Sequence, residues 1–236
     1  DPELSGLARE HGVELRDLRK PPPELSVPTG ENLQVPAKIV LTVGSDCAIG
    51  KKTVAVELDL AARKRGLKSV FVPTGQTGIA IAGWGIAIDA VVADFLAGAA
   101  ERLVVEGSRR GGELLWVEGQ GSLAHPAYSG VTMGLIHGSA PHAYVFVHKA
   151  RATHVEGYPE HPLPDLRELI ALHERVSLRL RPARVAAVAL HTGGLDEDDA
   201  RAEIARVGAD TGLTTDDPVR FGADTLLDAV LEVVQD

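Results

Sequence analysis

A chain of 236 residues, 44% hydrophobic and 24% charged, has the material for one large α/β domain with room for a short appendage. Its net charge of -9 argues against a general nucleic-acid surface, because phosphate backbones demand a basic stripe. The richest apolar stretch, residues 79–100, is broken by Gly83, Trp84, Gly85, Asp89 and Asp94, so a membrane span is not expected. One cysteine, Cys47, excludes an intramolecular disulfide and suits a reducing, cytoplasmic compartment. The chain starts at Asp1 with neither a methionine nor a signal-like segment, the expectation for a fragment or a processed form.

Residues 2–11 read as a short helix, followed by an apolar/charged alternation over 13–18. Lys20-Pro-Pro-Pro-Glu24 then breaks the pattern. Three consecutive prolines fit neither a helix nor a central strand, so residues 21–37 are expected to form a stiff linker. Residues 1–20 become the C-terminal remnant of an upstream domain, and 38–236 the body. Within it, 38–43 is a short apolar run entering a Gly-containing loop, the pattern of a buried parallel strand. Residues 53–65 have a helical period through Val54, Val56, Leu58 and Leu60, stopping at Gly66. A second strand, 69–72, leads to the loop Thr74-Gly-Gln-Thr-Gly78, and a helix carrying Asp89 and Asp94 is expected over 86–99. Strands over 113–117, 143–147 and 185–190 and helices over 196–208 and 224–234 complete the chain. This alternation calls for a mostly parallel sheet covered on both faces, the three-layer arrangement of P-loop NTPase-like α/β domains. Ligands of such sheets lie beyond the carboxyl ends of the strands. The loops starting at Gly44, Thr74, Glu118, His148 and His191 should therefore converge.

The first of these loops carries the chemistry. Gly44-Ser45-Asp46-Cys47-Ala48-Ile49-Gly50-Lys51-Lys52-Thr53 lies between a strand and a helix, as a P-loop does. Its first gap is one residue longer than usual, and the hydroxyl of Thr53 comes one place late. Backbone amides turned around an anion, with a helix N-terminus behind them, bind phosphate, and Lys51 adds a movable ammonium. Asp46 is either a ligand contact or the acceptor of an Asx turn, and Cys47 reads as a small residue filling the loop rather than a nucleophile. Glu118, at the tip of the third strand and followed by Gly119-Gln120-Gly121, is placed to deprotonate an amine or to hold Mg²⁺ with Thr53, should a metal be used. His125 is a second candidate base, set against a purely structural role. Thr74, Gln76, Thr77 and Gln120 offer hydroxyls and amides for a polar substrate, and Lys149 and Arg151 after the fourth strand offer cations for a carboxylate. Asp216-Asp217-Pro218-Val219-Arg220 reads either as a cover over a nucleotide base or as turn chemistry, and the acidic run 196–199 as a helix N-terminus.

Gly44-Ser-Asp-Cys-Ala-Ile-Gly-Lys51 together with Val117-Glu-Gly-Gln-Gly-Ser-Leu123 resembles a dethiobiotin-synthetase-type P-loop. A closer resemblance is to the D-glutamate N-acetyltransferase family, long catalogued as a domain of unknown function. It covers nearly the whole chain, through Thr74-Gly-Gln-Thr-Gly-Ile79, Asp94-Phe95 with Gly98-Ala99, Glu118 to Pro126, and Asp217-Pro-Val-Arg220. The resemblance implies a smaller Rossmann-like domain ahead of this one and acetyl transfer from acetyl-CoA to the amine of an acidic amino acid, D-glutamate or a related one. Under it, Lys51, Glu118 and His125 would be catalytic and the P-loop would anchor the donor phosphates. The alternatives are an ATP- and Mg²⁺-dependent ligase that activates a carboxylate, and a nucleotide-binding module without turnover. The partners expected are a small-molecule substrate and, as an allowance, further copies of the chain in a homo-oligomer. Nucleic acid and membrane are not expected.

Overall fold

The computed structural model describes residues 1–235. The centre of the sheet is made by β1 (Lys38–Gly44), β4 (Ala143–Lys149) and β7 (Arg184–His191), near-continuous runs of Val, Ile, Leu and Ala buried on both faces. Parallel strands covered on both sides need such runs. With β2 (Ser69–Val72), β3 (Leu114–Val117) and β8 (Thr214–Asp216) they form one six-stranded sheet in the order β2-β3-β1-β4-β7-β8, every neighbouring pair parallel. Side chains alternate between two cores. Val40, Trp116, Val145 and Val147 face α2 (Lys51–Lys64) and α8 (Asp224–Gln235). Ile39, Leu41, Val117, Phe146 and Val188 face α4 (Leu96–Arg109), α5 (Ser129–Ser139), α6 (Leu166–Arg175) and α7 (Glu197–Thr211). A two-residue strand β5 (His154–Val155) pairs antiparallel with β6 (Tyr158–Pro162) outside the main sheet. No helix among the described residues is long and apolar enough to cross a membrane.

The expected mostly parallel three-layer domain is present, with local corrections. Residues 86–99 are not one helix: two 3₁₀ turns, Ile88–Ala90 and Ala93–Phe95, precede α4, which begins only at Leu96. The β-branched pair Val91-Val92 takes extended or near-extended backbone between the turns, while Ile88 is driven into the core. The loop expected over 74–78 closes into α3 (Gln76–Ala82), which starts on Gly75. Residues 214–216, outside the expected strands, form the edge strand β8 beside β7. The acidic run behaves as expected: Asp196 caps α7 by accepting from the Asp199 amide, with Glu197, Asp198 and Asp199 in its first turn.

At the N-terminus, α1 (Pro2–Glu10) ends one residue early, and residues 13–18 form no strand. Residues 21–37 lie against the domain rather than apart from it. The Glu101 carboxylate on α4 accepts from the amides of Thr29, Gly30 and Asn32 and from the Thr29 hydroxyl. Burial pushes that carboxyl upward, yet these four donors together hold it below the usual carboxylate range. A side chain on Gly98 would meet the Ser26 carbonyl oxygen at 1.8 Å, so the strap crosses α4 on bare backbone. Further towards the N-terminus, Arg19 pairs with Asp89 at 2.9 Å.

Candidate active site

β1 lies between β3 and β4, where the chain's progress across the sheet reverses, and the P-loop leaves its carboxyl end. Gly44 has no room for a side chain, because a Cβ would sit 2.5 Å from the Val147 carbonyl oxygen. Ala48 (φ 54°) and Gly50 (φ 107°) turn the backbone left-handed, and no side chain caps α2 at Gly50. The amides of the first turn of α2 are thus left for a ligand, with the helix dipole behind them. Gly50, Lys51, Lys52, Thr53, Gly119 and Gln120 line a cavity of about 430 Å³ there. Lys51 is only 5% exposed, and its Nζ donates to the Asp46 carbonyl. Burial pushes its ammonium down to about 8. Keeping it charged at neutral pH costs the folded chain about 3 kcal/mol, a penalty that an arriving phosphate would offset.

Across this cavity the Glu118 loop is held by its own network. Glu118 Oε2 accepts from the amides of Thr74 (2.9 Å) and Gly75 (3.1 Å), and the Thr74 hydroxyl donates to the Glu118 carbonyl at 2.8 Å. Gln120 Nε2 donates to the Thr74 carbonyl and hydroxyl oxygens. Glu118 Oε1 has no partner among the described residues. Burial, more than anything else around it, raises the carboxyl above its ordinary range in spite of the two amides. One oxygen is anchored, the other carries no hydrogen bond and the pKa is raised, features that a general base can use. Thr74 and Gln120 are bonded to each other, whereas Gln76 and Thr77 begin α3 and stay partly or fully exposed. Thr53 is exposed at the mouth of the same cavity.

On the other side of the loop, Asp46 accepts from the Cys47 amide and from the Glu156 amide, both at 2.7 Å, so the β5–β6 hairpin is tied to the P-loop. His125 joins that tie. Its Nδ1 accepts from the Ala127 amide at 3.2 Å and its Nε2 donates to the Glu156 carbonyl at 3.3 Å, with the rings of Tyr128 and Tyr158 packed on it. Ligating atoms of Asp46, Cys47 and His125 lie within 4.8 Å of one another. The Nδ1 lone pair of His125 is taken by the Ala127 amide and each Asp46 oxygen already accepts one amide, so the cluster reads as a hydrogen-bonded clasp rather than a metal centre. Burial, then the Asp46 charge, pushes the Cys47 thiol up, away from a nucleophilic thiolate.

A second cavity, of about 420 Å³, opens between Asp46, Cys47 and the hairpin, and both Lys149 and Arg151 line it. Arg151 is committed, paired with Asp199 at 3.0 Å and Glu203 at 3.5 Å, while exposed Lys149 has no ion-pair partner among the described residues. Behind them His148 Nδ1 meets the Ser45 hydroxyl at 2.9 Å, and the Ser45 carbonyl accepts from Ser122. Ile49 is buried under the loop.

His148 and the core residue His173 are both held neutral by burial, with pKa values lowered to about 4. The unfolded chain takes up these protons near 6.5, so stability falls as pH drops from about 6.5 towards 4, by ~1.4 kcal/mol per pH unit for each histidine. Urea midpoints at pH 7 and 5 should show this decline. His173→Phe, which keeps a ring beside Phe146, should flatten the slope by about one proton, and an unchanged slope would contradict the assignment.

The hairpin clasp was illegible in sequence, since Glu156 acts only through its backbone. A model of the family described as "Domain of unknown function (DUF1611_C) P-loop domain" matches residues 26–227. The chain is 38% identical over 237 residues to a D-glutamate N-acetyltransferase of Tritonibacter scottomollicae, covering 99% of this chain and 69% of that protein. It is 34% identical over 226 residues to a D-glutamate N-acetyltransferase of a Pseudoalteromonas species, covering 95% and 67%. A crystal structure of a DUF1611 family protein from Anabaena variabilis matches with a TM-score of 0.93 at 44% identity, over 98% of this chain and 68% of that one. With a family match across most of the sequence and a matching backbone, this chain belongs to the DUF1611 family, and its body is that family's P-loop domain.

Proposed function

We propose that this chain takes part in N-acetyl transfer from acetyl-CoA to the amine of D-glutamate or a related amino acid. The observation that carries the reading is that an uncapped helix start and buried Lys51 face, across one cavity, Gly119 and Gln120, the residues that directly follow Glu118. The activity named for both relatives supports it. Acetyl-CoA supplies a thioester-activated acetyl group on a phosphate-bearing carrier. The P-loop amides and Lys51 hold the phosphates, and the same donors are suited to stabilise developing oxyanion charge. Glu118 takes the proton that the acceptor's ammonium must lose before the amine can attack. Lys149, facing the hairpin cavity, holds an acceptor carboxylate, with Arg151 fixing the loop beside it through Asp199 and Glu203. His125 holds the hairpin over the loop, a positional role, because both its ring nitrogens are engaged.

Thr53 favours a second reading. Its hydroxyl lies at the phosphate cavity and is exposed, as a ligand of an ATP-bound Mg²⁺ would need to be. Calorimetric titrations with acetyl-CoA and with ATP–Mg²⁺ separate the two. Lys51→Ala is expected to weaken acetyl-CoA binding at least about tenfold. Lys51 must be charged to hold phosphate, so wild-type affinity should fall as pH rises through about 8, by up to about tenfold per unit, and Lys51→Ala should lose that dependence. Tight ATP binding with none of acetyl-CoA would sink the transferase reading. Equal binding by wild type and Lys51→Ala would sink the phosphate site itself.

A further inference from the structure

Beside the phosphate cavity lies a third, of about 300 Å³, between the start of α2 and the carboxyl ends of β7 and β8. The two share Ala48, Gly50 and Thr53, so a single ligand can occupy both. Their linings differ. The phosphate cavity is lined mainly by loop glycines, lysines and Gln120, whereas this one is walled by Ile49, Val54, Val147, Leu190 and the Pro218-Val219 segment, with His191, Asp217 and Arg220 as its charged or titratable side chains. Val219 is 64% exposed, an aliphatic side chain left in solvent at the mouth of an apolar slot. A small, largely apolar cavity with a few polar groups at the edge is built for a flat ring.

The rim is fixed before any ligand arrives. Asp217 is buried, and its Oδ2 accepts from the Thr192 amide (3.0 Å) and hydroxyl (2.6 Å). Its Oδ1 accepts from the amides of Val219 (3.0 Å) and Arg220 (3.2 Å). Arg220 in turn donates to the Leu195 and Asp196 carbonyls at 3.0 and 3.3 Å. Those bonds have a consequence for specificity. Guanine presents two adjacent N–H donors and is best met by an unengaged carboxylate. The one carboxylate lining this cavity, Asp217, has all its bonding directed into the loop. Adenine asks for no carboxylate and tolerates an apolar wall.

We propose that this cavity holds the adenine ring of the phosphate-bearing ligand and discriminates against guanine. The inference rests on the phosphate assignment of the P-loop, and its test is designed to fail separately. ADP carries the adenine and diphosphate common to both donors considered above; inorganic pyrophosphate carries the phosphates alone. Titrating the full chain, wild type should bind ADP at least about tenfold more tightly than pyrophosphate or GDP. Val219→Asn, at an exposed position that leaves the fold intact, should weaken ADP several-fold and leave pyrophosphate within about twofold. Lys51→Ala should weaken both. ADP no tighter than pyrophosphate, with Lys51→Ala still harmful, would overturn the ring site alone. GDP equal to ADP would overturn the discrimination. Lys51→Ala without effect on either ligand, or no binding of either to wild type, would overturn this inference together with the phosphate site.

Discussion

Glu118→Gln is expected to lower kcat for acetyl transfer by about 10²–10⁴-fold, the range of a lost general base, with donor affinity and thermal midpoint close to wild type. The amide is the right probe because its carbonyl oxygen can still accept from Thr74 and Gly75, so the loop keeps its shape while the proton acceptor disappears. Glu118→Ala would test something else. It would strand the buried Thr74 amide and the half-buried Gly75 amide and cost about 1–3 kcal/mol of stability, confounding any rate effect. The pH profile gives a second readout. Burial raises the Glu118 carboxyl, so wild-type kcat/KM should climb with pH on an acidic limb lying above the ordinary carboxylate range, and Glu118→Gln should lack that limb. Full activity in Glu118→Gln would remove the base from this residue. His125→Gln would then be the variant to assay, although its ring nitrogens are already bonded to Ala127 and Glu156.

What the sequence made legible is what local patterning encodes. The apolar runs at 38–43, 143–147 and 185–190 read as buried parallel strands, as they are, and Gly50-Lys51 opening a helix reads as an anion site worth testing, against an ordinary Gly-rich turn. The misplaced helix at 86–99 shows the limit. Its apolar period is real, but Ile88 packs into the core from a 3₁₀ turn that lies against α4, a choice made by tertiary packing rather than by propensity. Strand β8 has only three residues and exists because β7 offers it a ladder. The hairpin escaped for a similar reason: its grip on the P-loop passes through the backbone of Glu156, on which residue identity leaves no mark. Asp217 was visible as a residue and ambiguous as a role, since an acidic loop residue and a loop-bracing one look alike until the four donors around it are known. Arg151 was chosen for its charge, which the fold engages with Asp199 and Glu203.

Gly119→Ala should be the most damaging single substitution in the site, although it adds one methyl group. A Cβ on residue 119 would lie 1.6 Å from the Thr42 carbonyl oxygen and 3.2 Å from Lys51 Cδ. Thr42 cannot yield, because β1 is bonded to β3 and β4 on both sides and its neighbours Leu41 and Val43 are buried. The 119 loop cannot yield cheaply either, because the Gly119 amide donates to the Thr42 hydroxyl at 2.9 Å and Glu118 is tied to Thr74. Either the sheet or the loop must therefore break, and a loss of at least about 3 kcal/mol in urea unfolding, at the upper end for overpacking, is the expected result. Gly130→Ala supplies the control. Gly130 is an exposed position in α5 where an added methyl would meet nothing within 4 Å, and the change there should stabilise by up to about 1 kcal/mol. If Gly119→Ala unfolds at the wild-type midpoint, the close approach of the Glu118 loop to β1 does not hold. If it folds but no longer binds acetyl-CoA, the methyl has displaced Lys51 instead of the backbone. That outcome would show directly that the phosphate cavity depends on bare backbone at residue 119.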